Sequence, residues 1–269
     1  MTRITFGRQT TGDLNEASAR EWLVTDGLGG FAMGTVAGLR TRRYHGLLVV
    51  ATSPPSGRHL ALAALDAAVV VGDRRYELAT HEWASGAVAP AGHLLLDRFE
   101  IDDGVPSWQW SSGSLVVRME LSMTRGRPAI ATRWTLVSAP TTETRFEITP
   151  LCTWRDVHGE RHAYGEPDVA VTGDGFVFER AYRLSGPGFR ASGEWYRDVH
   201  HREEAARGLA AGEDLDHVRE VPVLPLAGKD LVADDQRADA EVLHGNCHGN
   251  GSGTPTRPRA PGTSRRTRP

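Results

Sequence analysis

Three short clusters of polar and aromatic residues hold the side chains that could do chemistry, and the first is residues 42–46, RRYHG. It places two guanidinium groups, a phenol and an imidazole directly before the apolar run 47–50. Arginine forks can bond neighbouring sugar hydroxyls, and tyrosine offers both a stacking face and a hydroxyl group. The cluster therefore fits sugar recognition at the end of a strand. A solvent-exposed turn with a basic rim is the alternative, and composition alone favours it.

The second cluster, WRDVH at residues 154–158, again groups an aromatic ring, a guanidinium, a carboxylate and an imidazole. Asp156 beside His158 has the residue types of a general base and its orienting partner, but no nucleophile accompanies them in the sequence. His158 and His162 have i, i+4 spacing, yet Gly159 lies between them and there is no HExxH pattern. We therefore expect no metal site. An arginine–aspartate pair that fixes a loop is the alternative to catalysis.

The third cluster, EWYRD at residues 194–198, is followed by the carboxylates of Glu203 and Glu204. Glycoside hydrolysis uses paired carboxylates, one as the acid and the other as the base or nucleophile. On a helix that also carries arginines, such residues usually form a solvated face with i, i+4 pairs, and Glu203 with Arg207 is one such pair. The spacing is therefore compatible with a hydrolase, and a surface helix is the plainer interpretation.

A glycine-rich segment, GLGGFA at residues 27–32, satisfies the G-x-G-x-x-A spacing of a dinucleotide fingerprint. The residues after it are interrupted by further glycines and make a poor helix, and no alternation of strands and helices follows. We therefore expect tight turns where main chains pack closely, and we expect no nucleotide or other cofactor.

The elements that must position these clusters are short β-rich segments separated by turn residues. In residues 115–122, LVVRMELS, charged side chains alternate with apolar ones, as in a strand with one solvated face. The predicted strands are residues 44–52, 67–71, 107–110, 115–122, 129–137, 144–151, 168–172 and 176–184. Strands at this spacing predict a mainly β chain built as an antiparallel sandwich. One late helix is predicted, at residues 200–209.

Composition sets the domain boundaries. Every Phe, Trp and Tyr lies at or before Tyr196, so the core must be built upstream of that residue. We predict one folded domain over residues 1–226. Residues 227–269 are predicted to be a disordered tail rich in Arg, Pro and Gly, because this composition does not offset the entropy of ordering it. Cys152 and Cys247 are too isolated to indicate a disulfide framework or a cysteine zinc site.

Overall charge and hydropathy argue against several classes of partner. A formal net charge of −3 and a pI of about 6.4 give no basic field for nucleic acid. No uncharged apolar run reaches the roughly 18 residues needed to cross a bilayer. The first residues also lack the apolar stretch of a secretory signal. We expect a cytoplasmic protein that binds neither nucleic acid nor membrane.

Taken together, residues 21–50, 151–159 and 194–215 resemble the N-terminal domain of bacterial and archaeal glycogen debranching enzymes of the amylo-α-1,6-glucosidase type. The most specific part runs from EWLVTDGLGGF to TRRYHGLL, and the resemblance covers about residues 18–215. It implies a β-supersandwich that precedes a catalytic (α/α)6 barrel. It also implies that the N-terminal domain helps to shape the sugar cleft and packs on the barrel, where the glucosidase acids lie.

The resemblance and the side-chain chemistry agree on six sugar-contact residues. They are Arg43, Tyr44, His45, Arg155, Asp156 and His158. We expect the two clusters that contain them to lie near each other at one end of the sandwich, because loops gathered there are where such folds place recognition. None of the six is predicted to be catalytic.

The barrel is the part of the family pattern for which this chain has no room. About a dozen barrel helices with their connections need on the order of 300 residues, and the sequence ends soon after the resemblance does. We therefore predict the non-catalytic N-terminal module of an α-glucan (glycogen) debranching α-1,6-glucosidase, truncated before its barrel and binding glycogen or maltooligosaccharide weakly. The alternatives are a stand-alone carbohydrate-binding module for α-glucans and an unaided hydrolase that uses Asp156 or the carboxylates at 203–204.

Overall fold

The structure is a computed structural model that describes residues 3–54, 56–140, 143–186, 189–220 and 236–242, with the backbone alone for 189–193, 217–220 and 236–242. Nineteen strands and three short helices are described. In chain order they are β1 (Arg3–Gly7), α1 (Arg8–Thr11), α2 (Leu14–Ser18), β2 (Glu21–Thr25), β3 (Phe31–Thr35), β4 (Gly46–Ser53), β5 (Gly57–Val71), β6 (Arg74–Glu77), β7 (Thr80–Glu82), β8 (Val88–Ala91), a 3₁₀ turn (Gly92–Leu95), β9 (Leu96–Asp102), β10 (Val105–Ser112), β11 (Leu115–Met123), β12 (Ala129–Ser138), β13 (Thr144–Asp156), β14 (Val169–Thr172), β15 (Gly175–Phe178), β16 (Tyr182–Ser185), β17 (Phe189–His200), α3 (Arg202–Ala206), β18 (Gly212–Glu220) and β19 (Gln236–Val242).

Two antiparallel sheets make up most of this part of the chain. The larger has the strand order β1-β9-β10-β11-β12-β19-β16-β15-β14. The second has the order β17-β18-β13-β5-β4-β3-β2, with β6 also paired to β5, and β7 and β8 form a separate two-stranded ribbon. Every pairing described is antiparallel, so the predicted class, a mainly β antiparallel fold, is confirmed.

Aromatic side chains join the two sheets. Trp22 of the second sheet meets Trp108 of the larger one edge-on, with ring centroids 5.1 Å apart. Trp134 and Phe146 make a similar contact across the sheets, also at 5.1 Å. One continuous cluster of buried apolar residues surrounds these pairs and draws on both sheets. Because a large apolar side chain contributes about 1.5–3 kcal/mol when fully buried, this cluster is what holds the sandwich together.

The alternating pattern predicted for residues 115–122 appears in β11. Leu115, Val117 and Met119 are buried, while the charged Arg118 and Glu120 lie on the wetter face. The period of two therefore places one face of this strand in the core, as the sequence indicates.

The helices depart from the prediction of a single late helix. The predicted window 200–209 contains α3, which is only five residues long. Two further short helices, α1 and α2, lie near the start of the chain. Asp13 caps α2, because its side chain accepts the amide N–H groups of Asn15 and Glu16. Helices of four and five residues carry too little periodicity to be read from sequence.

One strand lies inside the predicted tail, which corrects the expectation that residues 227–269 contribute no structure. Strand β19 pairs with β12 on one side and with β16 on the other, and so joins the two halves of the larger sheet. Strand pairing depends on backbone hydrogen bonds, whereas the tail was predicted from its lack of aromatic side chains. Residues 227–235 and 243–269 lie outside the described residues, and the domain boundary at residue 226 stays a prediction.

In the part of the chain that the structure describes, no helix combines the length and the apolar character that crossing a membrane would require.

Candidate functional site

Three chain segments meet at the candidate site: the loop at residues 40–45 before β4, the end of β13 with the turn at 156–159, and the stretch from α3 to the start of β18. Arg43 contacts both of the other segments directly, because its Nη1 donates to the carbonyl of His158 and its Nη2 to the carbonyl of Ala210, each at 2.7 Å. The first two predicted clusters are therefore together in the structure. The stretch that follows the third cluster, from α3 to the start of β18, completes the site.

Arg155 is the buried centre of this arrangement. Its Nε donates to Glu213 at 2.7 Å, and its Nη2 donates to the carbonyl of Arg43, also at 2.7 Å. Its Nη1 bonds the carbonyls of Asp156 and Val157 at 3.1 and 3.3 Å. With its side chain only 4% exposed, this guanidinium holds protein segments to one another.

Glu213 is shared by a second guanidinium. Nη2 of Arg40 lies 2.5 Å from Glu213 Oε1, and Nε2 of His201 lies 3.3 Å from the same oxygen. Burial would raise the pKa of Glu213, but Arg40, His201 and Arg155 together hold that pKa well below its ordinary value. Burial lowers the pKa of His201. Glu213 is therefore ionised, and His201 beside it is neutral near pH 7.

His45 is fully buried beneath the loop. Its Nδ1 accepts the backbone N–H of Thr41 at 3.1 Å, so its Nε2 carries the proton and donates to Glu21, also at 3.1 Å. Burial lowers the pKa of His45 to about 4, against the raising effect of Glu21. This imidazole orders the loop from below and is neutral at physiological pH.

Tyr44, His158 and Asp156 form the accessible part of the site. The Tyr44 hydroxyl lies 3.0 Å from His158 Nδ1, and the two rings meet edge-on with centroids 5.6 Å apart. Asp156 is exposed, and its Oδ1 accepts the backbone N–H of His158 at 2.8 Å. A phenol, an imidazole and a carboxylate thus lie side by side on a surface that is fixed from beneath. Such a surface can donate hydrogen bonds to hydroxyl groups and accept them.

The six predicted contact residues are brought together, but burial divides them. Arg155 and His45 have side chains at most 4% exposed, and Arg43 uses both terminal nitrogens on backbone carbonyls. Direct contact with a ligand therefore falls to Tyr44, His158 and Asp156. That these residues contact sugar stays a prediction.

The geometry does not assemble the catalytic pair that Asp156 and His158 suggest. Asp156 bonds the backbone amide of His158, while the imidazole of His158 is directed to Tyr44. Among the described residues, no group of three or more His, Cys, Asp or Glu side chains is arranged to hold a metal ion.

The glycine-rich segment is a turn closed by Asp26. The buried Oδ1 of Asp26 accepts the amides of Leu28 and Gly30, at 2.7 and 3.0 Å. Gly27 and Gly29 have positive φ angles of 80° and 97°, and a Cβ at Gly30 would lie 2.3 Å from Asp26 Oδ2. The glycines are required by this turn, as the sequence predicts.

A family model described as glycogen debranching enzyme N terminal matches residues 20–224. The chain belongs to this family. The matched region includes all six predicted contact residues and the buried Arg40 and Glu213. A search of curated proteins found no match for this chain.

Several residues that build the site of this debranching-family domain are missed by sequence reasoning. Arg40 is not distinguished from other surface arginines, and Glu204 is expected on a solvated face. The structure buries both, with Glu204 1% exposed and one of its oxygens accepting the Arg43 amide at 3.2 Å. A carboxylate oxygen of Glu203 lies 3.7 Å from Arg42, so Glu203 has an ion-pair partner on another segment. No local spacing could reveal such long-range pairs.

Proposed function

We propose that this chain is the non-catalytic N-terminal module of an α-glucan (glycogen) debranching α-1,6-glucosidase. In this proposal it shapes one side of the sugar cleft and packs on a catalytic (α/α)6 barrel. One observation carries the proposal: within a domain of this family, Tyr44, His158 and Asp156 are presented together on a surface that Arg155 fixes from below. Breakdown of glycogen would place the protein in the cytoplasm.

The chemistry of this surface suits a glucan. Sugar hydroxyls both donate and accept hydrogen bonds, and Tyr44, His158 and Asp156 together supply both kinds of group. The tyrosine ring adds an apolar face against which a pyranose can pack. Because Arg43 and Arg155 hold the surrounding backbone, little ordering remains to be done on binding, which lowers its entropic cost.

The state of the acids supports a non-catalytic role. A glycosidase general acid has a raised pKa and reaches the substrate. Glu213 has the opposite character, because it is 1% exposed and its pKa is lowered by two guanidiniums and His201. Burial raises the pKa of Asp216 to about 7, but this side chain is also only 1% exposed. Neither can protonate a glycosidic oxygen in solvent.

A glucose-release assay tests the non-catalytic role. Purified protein incubated with glycogen or a limit dextrin should release no glucose. Turnover that Asp156→Asn abolishes, and that Asp168→Asn leaves unchanged, would overturn the proposal. Asp168 is the matched control, because it is an exposed carboxylate paired with Arg180.

A stand-alone carbohydrate-binding module is the second candidate, and one observation favours it. Hydrogen bonds from three segments of this chain hold Tyr44, His158 and Asp156 together, which is the kind of preformed surface a module acting alone would need. Affinity separates the two functions. Half of a cleft should bind maltooligosaccharides only in the millimolar range, about −4 kcal/mol. Micromolar binding that Tyr44→Ala abolishes would favour the module that acts alone.

A further inference from the structure

A cavity of about 90 Å³ lies between the two sheets, and Tyr44, Asp156 and His158 are not among its lining residues. One water needs roughly 10–15 Å³ of such volume, so there is room for about six to nine waters or a small organic molecule. The cavity exists because much of its wall carries side chains of minimal size. These residues are Gly34, Ala37, Gly38, Gly46, Ala63, Ala64, Ala67 and Ala79.

The larger lining residues are mostly aromatic or thioether side chains. Four are tryptophans and two are methionines, and three leucines complete the apolar wall. Indole rings and methionine favour contact with an apolar body, and above all with a planar one. These walls therefore suit a ligand with a hydrocarbon or aromatic body better than one covered in hydroxyl groups.

Two buried donors on lining residues have no hydrogen-bond partner in the described part of the chain. They are Nη1 of Arg40 and Nε1 of Trp134; Nη2 of Arg40 also lacks a hydrogen bond but is ion-paired with Glu213 at 2.5 Å. The neighbouring indoles differ, because Trp22 and Trp108 donate to the carbonyls of Thr35 and Val36, each at 3.2 Å. Buried polar groups without partners are uncommon in folded proteins, and an unmet donor calls for an acceptor.

The other polar groups on the wall are engaged. Thr35 donates its hydroxyl to the carbonyl of Leu39 at 2.7 Å. The hydroxyl of Thr80 accepts the amide of His93 at 3.0 Å. His81 and Asp66 are joined through the imidazole Nε2 at 2.7 Å. The wall groups without hydrogen-bond partners are therefore donors, and a ligand that satisfies them must carry acceptors.

Arg40 gives the cavity wall a guanidinium that an acidic ligand can meet. Arg40 is 4% exposed and shares Glu213 with Arg155, so two buried guanidiniums surround one carboxylate. Asp66 is near enough to act on Arg40, but it is already joined to His81. A second carboxylate at Nη1 of Arg40 would meet a charged donor in a water-poor setting, where such bonds are strongest.

We propose that this cavity binds a small organic acid with an apolar, preferably aromatic, body. Its carboxylate accepts hydrogen bonds from Arg40 and Trp134, and its body packs against Trp22 and Trp108. The site is separate from the Tyr44 surface, although Arg40 and Arg155 share Glu213, and it does not rest on the function proposed above. It gives the N-terminal domain a second ligand of a different chemical class.

Calorimetric titration with benzoate tests the proposal, with benzyl alcohol as the neutral comparator of similar size. Benzoate should bind with a dissociation constant below a millimolar, and benzyl alcohol about tenfold or more weakly. No binding of benzoate to folded protein would overturn the proposal. Equal binding of the two compounds would also overturn it, because the donors would then play no part.

Two variants locate the binding. Ala67→Leu fills the cavity and should abolish binding; benzoate affinity that survives in this folded variant would overturn the assignment. Trp134→Phe removes one donor and keeps the apolar wall, so benzoate affinity should fall by about threefold to tenfold. This variant tests the site even where Ala67→Leu fails to fold. Trp154→Phe is the matched control, because Trp154 stacks on His59 outside the cavity. Equal effects of the two tryptophan variants would contradict the site.

Discussion

The turn at residues 26–30 and the loop at residues 40–45 belong to one continuous motif, yet their charged side chains make different kinds of contact. In the turn, the Asp26 side chain accepts the amides of residues within the turn itself. The loop directs its groups outward: Arg40 pairs with Glu213, and Arg43 bonds the backbone of two distant segments. Only Tyr44 of this loop contributes its side chain to the accessible group with His158.

The difference shows that a motif's most specific residues need not contact a ligand. Glycines in the turn and arginines in the loop are both required by the fold, the former for conformation and the latter for long-range pairing. Contact with a ligand is possible only for the few side chains that remain exposed. Three predictions about stability test this difference, and they follow from the largest expected effect to the smallest.

Removing the charge at Glu213 should have the largest effect. Glu213→Gln leaves the buried guanidiniums of Arg40 and Arg155 without their shared carboxylate, and loss of a buried partner costs about 3–5 kcal/mol. Chemical denaturation measures the change. Asp168→Asn, in an exposed pair with Arg180, should cost less than about 1 kcal/mol. Similar costs for the two variants would show that the loop is not held by the buried network.

Acid should loosen the loop through His45. Its folded pKa of about 4 lies below its ordinary value of 6.5, so the fold favours the neutral form. The stability from this group is complete above pH 6.5 and is lost as the pH falls toward 4, by up to about 3 kcal/mol.

The free energy of unfolding should be measured from pH 8 to pH 4 for wild type and for His45→Gln. The variant should lose less stability across that window. Buried His201 and His93 also have lowered pKa values, so wild type minus variant is the informative quantity. His162→Gln is the control, since its side chain is 66% exposed. Parallel curves for wild type and His45→Gln would contradict the role of His45.

Adding a single methyl group to the turn at residues 26–30 should destabilise the protein. In Gly30→Ala the added Cβ would lie 2.3 Å from Asp26 Oδ2 and 2.8 Å from the carbonyl of Val49. Overpacking of this kind costs about 1–3 kcal/mol. Gly7→Ala meets nothing within 4 Å and should change stability by less than about 0.5 kcal/mol. A neutral Gly30→Ala in thermal unfolding would mean that the turn is adaptable.

Much of the fold can be predicted from sequence because sheet patterning is local. The alternation in 115–122 is enough to assign β11 and its buried face. Strand β19 alternates too, but two of its three apolar residues are alanines and give only a weak signal. Its place between β12 and β16 is decided by two edges far away in sequence. Helices α1 and α2 are too short for periodicity to appear.

The sequence is enough to predict which residues come together at the candidate site, but it does not predict the role of each residue there. The family resemblance and the residue types together indicate that Arg43, Tyr44 and His158 belong to one polar site, and the structure brings them together. That Arg155 is a buried support and Asp156 an exposed group depends on which side of β13 each one faces after packing. Glu213 could not be predicted from sequence as the partner of Arg155, because 58 residues separate the two.

Titration of the protein with maltoheptaose shows whether the surface of Tyr44, His158 and Asp156 binds a glucan. NMR chemical shifts should give a dissociation constant in the millimolar range, about −4 kcal/mol. Tyr44→Ala should abolish binding, while Tyr164→Ala should leave it unchanged, because Tyr164 is 93% exposed and outside the site. Retention of wild-type affinity in folded Tyr44→Ala would contradict the account.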